Sequence, residues 1–158
     1  HVYTTKSGLA LEIYRVTTPE GGPEERALAW QRHEEIIRAV LAGDRELDSF
    51  LRGRRRPLGR AGPASREPAR VLVTNDESDF YTVVDVTAND RIGLLYGLVS
   101  AITKQDLEIY VSKASTILDQ VADTFYLKDS KRRKLTDPAA LETLRRTLQS
   151  VADGAPDA

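Results

Sequence analysis

The chain has 158 residues, 41% hydrophobic and 30% charged, with a formal net charge of −1, the profile of a soluble globular protein with room for one ordinary domain or two small ones. It contains no cysteine, which excludes disulfides, thiolate nucleophiles and cysteine-held metals, and no apolar run approaches the ~18 to 20 residues of a membrane span. The charge is uneven: residues 52–70 hold seven arginines against one glutamate, so any nucleic-acid role must rest on that segment.

No signal peptide is visible, and a cytoplasmic location is expected. With no methionine, and with His1 leading directly into a strand-like run, the chain is expected to be a piece of a longer polypeptide. Residues 2–5 and 9–17 alternate as strands around Lys6-Ser7-Gly8, a hairpin in which Gly8 takes a positive φ. A Gly/Pro loop follows. Residues 27–41 then read as a helix with Trp30, His33, Ile37, Val40 and Leu41 on one face, ended by Gly43. His33 has no second histidine or cysteine nearby and is expected to be a partly buried helix histidine. Trp30 is expected to be a core or interface anchor.

Residues 52–69 mix arginine with three glycines and three prolines and lack apolar periodicity, which describes a linker. Residues 70–74 are a short strand, and Asn75 to Ser78 a polar turn. Residues 80–87 form a strand with Phe80, Thr82, Val84 and Val86 on one face. Leu95, Leu98, Val99 and Ile102 recur at helical spacing within residues 93–104. Residues 107–116 and 121–128 are strands. Asp137 caps a last helix that has Pro138 in its first turn and a buried stripe of Leu141, Leu144, Leu148 and Val151.

An internal repeat links the two ends of this series. Sliding residues 1–16 by 112 positions pairs Thr4 with Thr116, Leu9 with Val121, Ala10 with Ala122, Ile13 with Phe125 and Tyr14 with Tyr126, without a gap. The first 42 residues therefore repeat the second half of the later unit, and the first unit lacks its opening strand and helix. Four divisions are expected: residues 1–51 as the second half of a first repeat, 52–69 as a linker, 70–152 as a second repeat and 153–158 as a tail.

The stretch from Tyr81 through Asp90-Arg91-Ile92-Gly93-Leu94-Leu95 resembles the opening of ACT domains, whose hallmark is a strand ending in Asp-Arg-Pro-Gly-Leu-Leu. The likeness continues through Lys113 to Thr116, Asp123 to Tyr126 and Leu135 to Pro138. Two such repeats joined through a strand like Val71 to Asp79 are similar to the C-terminal end of the uridylyltransferase/uridylyl-removing enzymes that modify the PII protein. The resemblance implies an α+β, ferredoxin-like βαββαβ sheet with helices on one face, and a regulatory role in nitrogen metabolism through amino-acid binding, with glutamine as ligand. Implied partners are catalytic domains of a parent chain and a second copy paired through sheets or helices; no cofactor, metal, membrane or nucleic acid is expected. The family's catalytic signatures are absent: there is no Gly-Ser followed by an Asp-x-Asp pair, and neither His1 nor His33 precedes an aspartate. The hallmark proline is Ile92 here, so the loop loses a preset φ.

On physical grounds too, the strongest candidate site is Asn89, Asp90, Arg91, Ile92, Gly93 and Leu94. This loop joins a strand end to a helix N-terminus, where free N–H groups and the helix dipole favour a carboxylate. Gly93 permits close backbone approach, and Arg91 is placed to pair with the ligand's carboxylate. The plainer alternative is a loop that only caps the helix through Asn89 or Asp90. A ligand-free interaction or oligomerisation module is the competing function. Arg52 to Arg60 reads as solvated linker rather than a nucleic-acid footprint, for want of aromatics and a helical face.

The chain ends without a last strand after its final helix, as residues 152–158 read Ala-Asp-Gly-Ala-Pro-Asp-Ala. A permuted order β-βαββα over residues 70–152 is therefore expected, with residues 70–74 antiparallel to residues 81–87. The orphan hairpin of the first repeat then needs another surface, the second unit or a second chain.

Overall fold

The computed structural model describes residues 2–4, 10–12, 21–47, 49, 68–117 and 120–154. The segment expected to be the linker, including Arg52 to Arg60, lies outside them apart from its last two residues, as does the whole Lys6 to Gly8 turn. The strands are β1 (Val2–Thr4), β2 (Ala10–Glu12), β3 (Arg70–Thr74), β4 (Thr82–Asn89), β5 (Leu107–Ile117) and β6 (Gln120–Asp129). The helices are α1 (Pro23–Leu41), α2 (Leu94–Thr103) and α3 (Pro138–Ala152). The strands, α2 and α3 form one compact unit, and α1 lies in another that spans Tyr14–Gly59.

Four long or central strands make an open antiparallel sheet in the order β5-β6-β4-β3, and the hairpin β1-β2 extends it beyond β5. β3 runs antiparallel to β4, with Arg70 opposite Thr87 and Thr74 opposite Val83, the pairing expected of a permuted unit. This α+β arrangement is compatible with a ferredoxin-like sheet whose edge strand comes first. The orphan hairpin finds its surface on the second unit: β1 pairs antiparallel with β5, Val2 opposite Ser112 and Tyr3 opposite Val111.

As an edge strand, β3 exposes backbone groups on its outer side, a standing invitation to foreign strands. The side-chain amide of Gln149 on α3 meets them, accepting from the Val71 N–H at 3.2 Å and donating to the Ala69 carbonyl at 2.8 Å. One glutamine thus stands in for a neighbouring strand and ties α3 to the sheet.

The core lies between one sheet face and the two helices. Val84, Val86, Phe125 and Leu127 meet Leu94, Leu98 and Ile102 of α2 and Leu144 and Leu148 of α3, all at most 2% exposed. Each such side chain contributes about 1.5–3 kcal/mol by leaving water. Gly97 lets the helices approach: a Cβ there would lie 3.0 Å from Val151 Cγ1. Asp137 caps α3 as expected, its Oδ1 accepting from the Ala139 N–H at 3.1 Å.

Three expectations about faces are corrected. Phe80 is 70% exposed rather than buried in the strand. The Ser78 hydroxyl accepts from the N–H groups of both Phe80 and Tyr81, so pairing with β6 begins only at Thr82. On α2 the inward leucine is Leu94, while Leu95 is 38% exposed, because the left-handed Gly93 sets the phase of the first turn. On α1 the apolar stripe is open within the described residues: no residue of the helix is buried, and Leu41 is 83% exposed. His33 is exposed too, with its Nδ1 2.7 Å from the Ala29 carbonyl oxygen of the preceding turn. The helix starts at Pro23, earlier than residue 27, since proline suits a first turn and the Glu25 carboxylate accepts from the Gly22 N–H. It ends at Leu41, stopped as expected by the left-handed Gly43, in a Schellman turn where the Asp44 N–H donates to the Ala39 carbonyl and the Gly43 N–H to that of Val40.

A polar cluster pins the far end of the sheet. The buried Thr82 hydroxyl donates to Asn75 Oδ1 and accepts from the Leu135 N–H, and Asn75 Nδ2 donates to the Leu135 carbonyl. Lys134 Nζ donates to the carbonyls of Asn75 and Ser78, both at 2.6 Å. The sheet face turned away from α2 and α3 carries Tyr81, with Tyr110 and Tyr126 at ring distances of 5.6 and 5.9 Å.

Candidate functional site

At the end of β4, Asn89 is still paired with Gln120, and the chain leaves the sheet at the exposed Asp90. The Leu94 N–H then closes a turn onto the Arg91 carbonyl at 3.1 Å. Gly93 occupies the N-cap position with φ 83°, a left-handed value that glycine adopts at little cost, and brings no side-chain cap of its own. Leu94 is buried and anchors the first turn of α2 in the core, whereas Ile92 is 41% exposed.

Beside this loop is a cleft of about 330 Å³. Asp90, Arg91, Gly93 and Leu94 form one side of it, and Ala114 and Thr116 of β5 with Val121 and Asp123 of β6 form the other. Of the six expected site residues, then, four line the cleft; Ile92 turns to solvent, and Asn89 belongs to the strand. Arg91 has a second commitment: its Nη2 donates to the Val151 carbonyl near the end of α3.

Asp123 was not anticipated as a site residue. It is only 4% exposed and sits on the same sheet face as Val121, Phe125 and Leu127. Burial pushes its carboxyl pKa up; the Ser115 N–H, donating at 3.3 Å, works against that, and the negative charge of Asp90 adds to it. A signal did exist in the sequence: an aspartate in phase with the apolar positions of a strand has to be buried with them.

A larger hollow, about 710 Å³, lies between Phe80, Leu107 and the loop before α3. Several of its charged groups already serve local structure: Arg133 pairs with Asp129, Lys134 holds two carbonyls, and Asp137 caps α3. Among the described residues no three His, Asp or Glu side chains are grouped to hold a metal ion, and no helix is long and apolar enough to cross a membrane.

No protein-family model matches the chain, and no solved structure matches it. Curated relatives do. The chain is 36% identical over 156 residues, 98% of its length, to the bifunctional uridylyltransferase/uridylyl-removing enzyme of Erythrobacter litoralis. It is 33% identical over 149 residues to the enzyme of that name from Rhodospirillum rubrum, and 33% identical over 154 residues to that from Azospirillum brasilense. It spans 16–17% of the length of these relatives. Over nearly its whole extent, the chain is thus similar to a stretch amounting to about a sixth of the bifunctional uridylyltransferase/uridylyl-removing enzymes.

Proposed function

We propose that this chain is a regulatory, amino-acid-sensing ACT module of a bifunctional uridylyltransferase/uridylyl-removing enzyme acting on the PII protein. In this reading residues 70–152 are one ACT repeat and residues 1–51 the second half of another. Glutamine is the ligand, and its occupancy is conveyed to catalytic domains elsewhere in the parent chain, giving allosteric control of nitrogen metabolism. Similarity to these enzymes over 94–98% of the chain supports the parentage.

The observation that carries the sensing role is the cleft at the start of α2. A helix N-terminus attracts a carboxylate through its N–H groups and dipole, and this one, with glycine at its N-cap, borders a hollow of about 330 Å³, within the size range of small-molecule sites. Regulation requires that the ligand favour one arrangement of the surrounding domains over another, since equal affinity shifts nothing.

Calorimetric titration of the chain with glutamine and a panel of other amino acids tests this. Saturable heat with glutamine, weaker or absent with the others, is expected. A second reading, a ligand-free interaction module, is favoured by the tyrosine cluster on the sheet face turned away from α2 and α3. No heat with any amino acid, together with a stable dimer, would select that reading.

A further inference from the structure

A zwitterion needs two opposite receptors, and only one of them is visible in the sequence motif. The N-terminus of α2 favours a carboxylate through its dipole and the N–H groups that follow Leu94, whose own N–H already bonds the Arg91 carbonyl. Across the cleft stands Asp123, a carboxylate that is 4% exposed and packed among apolar side chains. Burying such a group is costly unless a cation or strong donors answer it. Among the described residues no ion pair reaches Asp123, and its one hydrogen bond is the long 3.3 Å donation from Ser115 N–H to Oδ1. Its second oxygen has no hydrogen-bond donor there but is not sealed from solvent, while Asp90 adds a further negative charge on the same cleft. Positive potential at the helix N-terminus and negative potential at Asp123 and Asp90 therefore meet in one cleft, which is the charge pattern of an α-amino acid in reverse.

We infer that Asp123, assisted by Asp90, receives the α-ammonium group of the ligand and makes the cleft selective for α-amino acids over 2-oxo acids and simple carboxylic acids of the same skeleton. The assignment rests on the amino-acid reading of this cleft. A 2-oxo acid would turn a carbonyl oxygen toward two carboxylates and be repelled. An acid without the amine would leave Asp123 without a cation partner.

The test is calorimetry on the whole chain with glutamine, glutaramate (the same skeleton without the α-amine) and 2-oxoglutaramate (the same skeleton with a carbonyl in place of the α-amine). Glutamine should bind about 10- to 100-fold more tightly than either analogue, the range of a charge-assisted hydrogen bond. Asp123→Asn, close to isosteric and checked by thermal melting, should weaken glutamine by a similar factor while leaving glutaramate unchanged or improved. Equal binding of glutamine and glutaramate by the unsubstituted chain overturns the assignment with no variant required. Unchanged glutamine affinity in a folded Asp123→Asn variant overturns it as well. In both cases the sensing role survives; if no amino acid binds at all, that role fails and the assignment with it.

Discussion

Arg91 and Val151 are joined by a hydrogen bond from the guanidinium to a main-chain carbonyl in the last turn of α3, so the candidate ligand loop is tied directly to the end of the last helix. A position read from sequence as a surface group for the ligand's carboxylate is also a structural tie. Arg91→Ala should therefore lower stability by about 1.5–3 kcal/mol, the range for a hydrogen bond to a charged group. Denaturant melts monitored by circular dichroism would measure it, and an unchanged midpoint would show that the tie contributes nothing.

Gln149 occupies the open edge of β3 through both halves of its amide. Gln149→Leu keeps the side chain's bulk but removes both partners, leaving an N–H and a carbonyl exposed on an edge strand. A loss of about 1–3 kcal/mol and a new tendency to self-associate are expected. Sedimentation velocity over a concentration series would detect the association; a variant as monodisperse as its parent would refute the edge-protection role.

Leu98→Asp should unfold the unit built from residues 70–152. Leu98 is fully buried on α2, and an unpaired carboxylate there costs several kcal/mol, a large share of a small domain's total. Persistence of a cooperative thermal transition would contradict that placement.

The pH dependence of Asp123 has a definite sign. Burial raises its folded pKa above the unfolded value, so between the two the folded state binds more protons. Stability should fall as pH climbs from the ordinary carboxylate range through the folded pKa. Asp123→Asn removes this penalty: the variant should melt higher than its parent at neutral pH, with the gap closing below about pH 4. Asp129 acts in the opposite sense. Its pKa is lowered chiefly by the Arg133 backbone N–H, so its contribution is present above the ordinary range and disappears as pH falls through the folded value. Melting curves of both Asp→Asn variants across that range would check the two signs.

Much of the fold was legible because it depends on neighbours in sequence. The bounds of β3, the Asp137 cap, the Gly43 stop and the Leu144-Leu148-Val151 stripe follow from alternation, helical spacing and capping chemistry, which act over a few residues. The pairing of β3 with β4 was also readable, since the polar residues 75–78 suit a short turn that brings one strand back beside the other. The motif likewise pointed to Asp90, Arg91, Gly93 and Leu94 as one side of a cleft.

Tertiary structure decided what depends on distant partners. The backbone turn at Gly93, and not helical periodicity, set Leu94 inward and Leu95 outward. Asp123 meets the loop at Asp90 only because β6 lies beside β4, and Arg91 meets Val151 across 60 positions only because α3 packs against α2. The first-repeat hairpin joined β5 because an antiparallel edge was available there, which no local pattern in residues 2–12 encodes. Local propensity determined the elements; the sharing of edges, charges and buried volume between them required the packed chain, since those energies exist only when the partners are in contact.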